Sequence, residues 1–426
     1  MTMHLWSVAV GGRRIARAGK SWTQGALSLG IILAATMAEA VDADELRTRL
    51  VKIGRGDSFV YAWSTAGSDW TEDGFDRFRR ETGVSPLMYF AEFRDIGGTW
   101  YDHAAYAGHR RAFADTVKRQ WAQHRAVPLV TWHIQNPYIP PKWRDVKYGR
   151  NAGMRYRYSS PDYPQEHRYV LREIATGTGT LCGTGRIDGV SARTFANPRE
   201  WYLWSLRDVA AFCRTLVDET GARIPIVFRP FHEMDGDWFW WGQDSASPED
   251  FIAVFRLTVD VLRKELGAKN VLFAYGTDRL WKQDQLGAPG KGGFLNWYPG
   301  DAYVDIVGYD DYSIGKAYGS GVEKTTADAI ARLRTVSDFA REHGKSCGLF
   351  ETGMKDSVDN FYSLLHKVAT AEGIDVAIVT TYDGPWTFPT NDVGRADMRR
   401  VLALPEVLTS ANPGDFAGGG RKRARD

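Results

Sequence analysis

The stretch Ile224-Pro225-Ile226-Val227-Phe228-Arg229-Pro230-Phe231-His232-Glu233 decides how this chain folds. Its first five residues are apolar enough to form a short strand buried on both faces. It then turns abruptly polar. Charged groups are rarely buried without partners, so a buried strand ending in Arg229, His232 and Glu233 predicts a carboxyl end that opens onto a functional surface. The continuation, Met234-Asp235-Gly236-Asp237-Trp238-Phe239-Trp240-Trp241-Gly242, carries four aromatic side chains in a row. Large aromatics are costly to expose without a ligand or partner, and this run reads as a floor for one rather than as core.

The same change of character recurs along the chain. Apolar runs at 59–63, 86–93, 127–133, 224–231, 271–275, 304–309, 347–351 and 376–382 read as strands. Helical patterns over 106–124, 198–220, 248–266, 325–343 and 357–371 lie between them. Ser247-Pro248-Glu249-Asp250 supplies a cap residue, a proline at the first helical position and acids in the first turn. Eight strands alternating with helices predict the α/β class and a (β/α)8 TIM barrel, as a single domain over 41–410. A doubly wound open sheet is the alternative, and the lack of a Gly-rich phosphate loop after any strand speaks against its nucleotide-binding forms. Segment 136–197, rich in Tyr, Pro and Gly, reads as an excursion after the third strand, on the face of the other strand-end loops.

Composition narrows the class further. With 43% hydrophobic and 25% charged residues the chain has enough apolar material for a large core, which excludes global disorder. The formal charge of +2 comes from the first forty residues; without them 50 cationic side chains face 51 anionic ones, leaving no basic surplus for nucleic acid. Those residues read as an export signal: Arg13, Arg14, Arg17 and Lys20 precede an apolar run over 26–38, and Ala38-Glu39-Ala40 offers a small-x-small cleavage site. The run is too short for a stable membrane span. Residues 1–40 are therefore expected to be a signal peptide and the mature protein secreted or periplasmic, with Arg13-Arg14 leaving twin-arginine export open. The tail 411–426, with its run Arg421-Lys422-Arg423-Ala424-Arg425, reads as a solvated, disordered basic end. Cys182, Cys213 and Cys347 permit at most one disulfide and no zinc spacing, and buried free thiols are expected.

Functional residues of such barrels sit at the carboxyl ends of the strands. Trp132-His133 closes the third, Arg229, His232 and Glu233 the fourth, Tyr309-Asp310-Asp311 the sixth and Glu351 the seventh, while Tyr382, Asp383 and Trp386 follow the eighth. A strand-end Asp that caps the next helix, or a His that bonds a loop carbonyl, is the ordinary structural explanation of any one of these. Glutamates on the fourth and seventh strands are different, because these strands lie nearly opposite each other and their carboxylates can converge over the mouth. Paired carboxylates are the standard equipment for glycoside hydrolysis, one as nucleophile and one as acid and then base. Glu233, among aromatics and beside a like charge, is expected to hold its proton. Glu351 must stay ionised, with Tyr309 the natural donor to it. The indoles would stack on the apolar faces of pyranose rings.

The segment Arg229–Gly242 resembles the acid/base signature of glycoside hydrolase family 26, whose best-known members are endo-β-1,4-mannanases, and Val307–Tyr312 and Phe350–Gly353 look like its later motifs in the right order. The resemblance implies a (β/α)8 barrel acting with retention of configuration. It implies Glu233 as acid/base, Glu351 as nucleophile and Tyr309 as the nucleophile's hydrogen-bond partner. His133 and His232 would contact the sugar at the cleavage site, with Trp238 and Trp386 as its apolar walls; Trp132 and Arg229 are counted with the substrate-binding set. Two departures stand out: Asp235 lies where many relatives carry Asn, and Thr387 follows Trp386 where some mannanases place an arginine on a more distal sugar.

The expected activity is that of a secreted endo-β-mannanase acting as a monomer on mannan, galactomannan or glucomannan, with no cofactor, metal or nucleic acid. A β-1,3-1,4-glucanase or β-1,3-xylanase of the same fold and mechanism is the alternative within the class. A non-catalytic polysaccharide-binding protein would be expected to have lost one carboxylate, and this chain has both. A metal-dependent hydrolase using His232, Glu233, Asp235 and Asp237 is disfavoured, since adjacent residues on an emerging strand point to opposite sides.

Overall fold

A computed structural model describes residues 42–65, 72–93, 103–139, 152–181, 195–278, 293–317 and 321–416. Residues 1–40, expected to be an export signal, Cys182 and the basic run from Arg421 lie outside the described residues.

Eight parallel strands close into a barrel: β1 (Phe59–Ser64), β2 (Met88–Glu92), β3 (Val127–Trp132), β4 (Ile226–Pro230), β5 (Val271–Thr277), β6 (Ile306–Asp310), β7 (Ser346–Thr352) and β8 (Val376–Thr381). Each pairs with the next and β8 pairs back to β1, and a two-residue strand, β9 (Val407–Leu408), adds to the start of β1. All eight fall where apolar runs predicted them. Their burial on both faces explains why those runs do not alternate.

Around the barrel lie α1 (Ala43–Arg55), α2 (Glu72–Thr82), α3 (His103–His124), the short α4 (Ala152–Arg155) and α5 (Val170–Thr176), then α6 (Pro198–Thr215), α7 (Pro248–Asp260), α8 (Val322–Glu342), α9 (Phe361–Ala369) and α10 (Asp392–Leu402). The start signal before α7 acts as expected, the Ser247 hydroxyl accepting the Asp250 amide at 3.2 Å. Helix α6 stops at Thr215, short of the predicted 220, because Val217 bridges back to Arg223 and the Asp218 carboxylate gathers the amides of Thr220 and Ala222 into a tight turn. Helix α1 was not anticipated. Asp42 caps it, Leu46, Leu50 and Ile53 bury one stripe against β7 and β8, and Gly54 passes so close to the Asp375 carbonyl that a Cβ there would sit 2.9 Å from it. No helix among the described residues is long and apolar enough to cross a membrane.

Strand parity sets what faces the barrel axis. A Cβ on Gly308 would strike the Phe350 ring at 2.6 Å and one on Gly348 at 2.5 Å, so these two glycines make the socket that lets this ring fill the axis beneath the mouth. The register of β7 shifts between Leu349 and Thr352, and that of β6 against β7 shifts at Tyr309/Asp310. Such irregularities re-aim side chains. Consecutive residues Phe350 and Glu351 thereby both turn inward, the first as packing and the second as the acid at the mouth.

Candidate active site

The mouth of the barrel forms a cleft of about 350 Å³ whose lining includes Glu92, His133, His232, Glu233, Tyr312 and Glu351. Glu233 sits on the turn that follows β4. Its φ of 53° and that of Phe231, 52°, lie in the left-handed region that side chains with a Cβ avoid. Neighbouring bonds hold the turn: the Glu233 amide donates to the Gly276 carbonyl at 3.3 Å, the Gly236 amide to the Glu233 carbonyl at 3.0 Å, and the Trp241 indole to the His232 carbonyl at 2.9 Å. Strain retained at one acid and tied down from three directions fixes where that acid points.

One carboxylate oxygen from each of Glu233, Asp310 and Glu351 lies within 4.8 Å of the other two. A single guanidinium balances them. Arg229, fully buried above the Phe350 ring, donates to Glu351 at 3.1 Å and to both oxygens of Asp310 at 2.9 and 2.8 Å. Tyr312 donates its hydroxyl to the other Glu351 oxygen at 2.9 Å, and the Trp238 indole donates to Glu233 at 2.6 Å. Burial, with the charges of Glu351 and Asp278 adding to it, pushes the Glu233 carboxyl up to about 8 from an ordinary 4.5. Glu233 is therefore a proton donor at neutral pH, beside a carboxylate held by two donors.

A second group lies across the cleft. Glu92, at the end of β2, accepts the His133 amide at 2.7 Å and the Thr131 hydroxyl at 3.0 Å and also bonds the His133 ring nitrogen Nδ1. That bond directs the other ring nitrogen away from Glu92. The His232 ring stands edge-on to His133 at 4.7 Å, and burial, His133 and Arg229 hold it well below the usual histidine range, so it is neutral.

Several expected contacts are corrected by parity. On β6, Gly308 and Asp310 face the axis and Tyr309 faces outward, its hydroxyl reaching the Ala329 carbonyl of α8 at 3.4 Å. Tyr309 cannot bond Glu351; Tyr312 does so instead. Trp132, between the inward Thr131 and His133, is fully buried against Tyr202 of α6 at 5.9 Å and is not a sugar contact. Arg229 lies beneath the cleft with no exposed surface, bonded to Glu351 and Asp310. The aromatic run divides: Trp238 and Phe239 line the cleft, whereas Trp240 and Trp241 are core. Trp386 packs edge-on to Tyr312 at 4.9 Å and so backs the cleft wall. Thr387 is buried against Thr381 at 2.9 Å and grips no distal sugar. Asp235 is buried, accepts the Asp278 amide at 2.8 Å, and is pushed up to about 7 chiefly by burial.

Glu92, Asp310 and Tyr312 were not assigned roles from the sequence. Each stands at the end of an apolar run or just past it, which is the signal that marked Glu233 and Glu351. What was missing was parity, which decides the face.

Among the described residues, Glu233, Asp310 and Glu351 are the one group of three such side chains placed to share a metal ion. Their oxygens are already claimed by Arg229, Tyr312 and Trp238, and a guanidinium amid the cluster repels a cation. The donor set suits proton transfer rather than metal binding.

Residues 200–345 match the model of glycosyl hydrolase family 26, a span that contains Glu233, Asp310 and Tyr312 and ends short of Glu351. A mannan endo-1,4-beta-mannosidase of Bifidobacterium adolescentis is 36% identical over 146 residues, 34% of this chain and 14% of that protein. Another, of Bacillus subtilis strain 168, is 31% identical over 260 residues, 59% of this chain and 57% of that protein. The chain thus spans less than two thirds of the length of either relative. Among solved structures, GH26C from Muricauda sp. MAR_2010_75 shares the fold with a TM-score of 0.69 at 24% identity, covering 87% of this chain and 92% of that one.

Proposed function

We propose that the chain is a member of glycosyl hydrolase family 26 and a secreted, retaining endo-β-glycanase that cleaves β-1,4-mannosidic bonds in mannan-type polysaccharides. The observation that carries this reading is the approach of Glu233 and Glu351 to within 4.8 Å, one protonated and the other held by Arg229 and Tyr312. Separations of about 5–5.5 Å between the two carboxyl groups go with double displacement, whereas inverting enzymes need about 6.5–9.5 Å to admit a water between them.

In the first step a Glu351 oxygen bonds the anomeric carbon while Glu233 gives its proton to the departing glycosidic oxygen. The C–O bond breaks, leaving a glycosyl ester on Glu351 and a free hydroxyl on the leaving chain. Glu233, now ionised, takes a proton from water, whose oxygen attacks the same carbon and releases Glu351. Arg229 and Tyr312 lose part of their hydrogen bonding while Glu351 is esterified and regain it on release, which favours turnover of the intermediate. Trp238 serves twice, as an apolar surface for the sugar and as a donor that orients Glu233.

Mannan is favoured because most of the relatives that share sequence with this chain bear the mannosidase name. The axial 2-hydroxyl of mannose has to be told from the equatorial one of glucose by a few polar contacts, and His133 and His232 stand ready beside the carboxylates. The test is a panel of linear mannan, galactomannan, barley glucan and xylans with products sized by chromatography. Mannan and galactomannan should yield oligosaccharides of β configuration. A faster reaction on glucan or β-1,3-xylan would move the assignment within the family, and an initial α product would remove retention.

A further inference from the structure

Of the charged side chains lining the cleft among the described residues, all but one are committed. Glu92 is bonded by Thr131 and His133, Glu233 by Trp238, and Glu351 by Arg229 and Tyr312, while His232 is buried and neutral. The exception is Arg155, the last residue of α4. It lines the cleft and is exposed, and its guanidinium has no hydrogen bond or ion pair among the described residues.

The backbone beneath it is pinned by contrast. The Met154 carbonyl accepts the Trp240 amide at 3.2 Å, which ties the segment to the loop carrying Glu233 and Trp238, and the Arg155 carbonyl accepts a 3.4 Å bond from the Ser160 hydroxyl. A fixed main chain presenting a free guanidinium into a cleft is how a protein displays a cation to a ligand. A guanidinium is matched in geometry and charge to a carboxylate.

We propose that Arg155 forms a subsite for a carboxylate-bearing side group, a uronic acid or pyruvate acetal, on the polysaccharide. This rests on the proposed glycanase activity and adds an acidic decoration to its substrate class. The test uses a glucuronate-substituted mannan and the same material after reduction of its carboxyl groups to alcohols, a pair that differs in charge alone. The full chain should turn over the acidic form with a kcat/KM about tenfold higher at low salt, the size expected of a charge-assisted bidentate contact. Arg155→Gln should bring the ratio close to one, Arg155→Lys should keep part of it, and Arg155→Glu should invert it. Calorimetric titration of the Glu351→Gln chain with oligosaccharides of each form reads the same preference without turnover. Equal affinities for the two forms, or a preference that survives Arg155→Gln, would overturn the proposal. Acid-selective binding without cleavage of either form by the unsubstituted chain would uphold this subsite and refute the glycanase reading.

Discussion

Asp310 and Asp311 are neighbours at the end of β6, and each forms a buried ion pair with an arginine, but on opposite sides of the barrel wall. Asp311 faces α8. Its oxygens accept the Arg332 guanidinium at 2.8 Å and the amide and hydroxyl of Ser313 at 2.9 and 2.6 Å, while Arg332 also donates to the Ser313 hydroxyl at 2.6 Å. One acid meets one base and the network closes on itself. Asp310 faces the axis, where Arg229 must serve Glu351 as well, and Glu233 stands in reach of both. Three carboxyl groups around one cation leave a surplus. Burial therefore drives Asp310 well above the usual carboxylate range, with Glu351 and Glu233 adding to the effect against the pull of Arg229. The same residue pair serves as a rivet on one face and as a charge reservoir on the other. What separates the roles is whether the charges balance.

The largest effect expected from breaking the axial cluster follows removal of Glu351. Glu351→Ala should lower kcat on every glycan by on the order of 10⁴-fold or more, because in the proposed mechanism Glu351 is the group that bonds the anomeric carbon. Activity near normal would assign the nucleophile elsewhere. Glu233→Ala should cost about 10²–10⁴-fold on polysaccharide. It should cost far less on aryl glycosides with good leaving groups, and azide should restore turnover as a β-glycosyl azide. Because Glu233 must be protonated to act, kcat/KM of the unsubstituted chain should fall as pH rises through about 8. A basic limb set well below that pH would show that Glu233 is not the donor.

Matched substitutions of the two aspartates sharpen the contrast. Asp310→Asn keeps the shape and removes one of the three ionisable carboxyl groups, so Arg229 turns chiefly to Glu351. The expected result is about a 10²-fold loss in kcat with little change in melting temperature, since one of the carboxyl groups that resist ionisation in the cluster has gone. Asp311→Asn leaves Arg332 buried and unpaired, which should cost about 3–5 kcal/mol of stability while kcat stays within a fewfold of its starting value. If both variants lost stability alike and kept activity alike, the two pairs would be equivalent and the distinction would fail.

Much of the axial site was legible in the sequence. The outward network was not. An apolar run ending in a carboxylate is visible as a string, and Glu233 and Glu351 were found that way. Which of two adjacent residues faces the axis depends on register, and the shifts at Tyr309/Asp310 and Leu349/Thr352 leave no trace in the string. Tyr309 was therefore given the contact that Tyr312 makes, and Trp132 was placed in a cleft it backs away from. Among the helices, α7 was marked by its own start signal. Helix α1 carries a capping aspartate and a clear apolar stripe, but its proximity to the stretch that reads as an export signal hides it.

The smallest effect concerns stability alone and tests whether the surplus charge is real. Glu233 takes up its proton at about 8 when folded, against 4.5 for an ordinary glutamate. Below 4.5 both folded and unfolded chains carry the proton, and the group's contribution to stability is fully present. Between 4.5 and 8 the unfolded chain ionises while the folded one resists, so stability falls with rising pH; above 8 both are ionised and the loss levels off. Glu233→Gln cannot ionise and escapes this loss. The variant should match the parent near pH 4.5 and exceed it by about 2–4 kcal/mol at pH 9, the full shift being discounted because the cleft admits water. Melting curves of both proteins across that range read the difference directly. Parallel curves would mean that Glu233 ionises as freely in the folded cleft as in water, and the contrast with the closed Asp311 network would then lose its electrostatic basis.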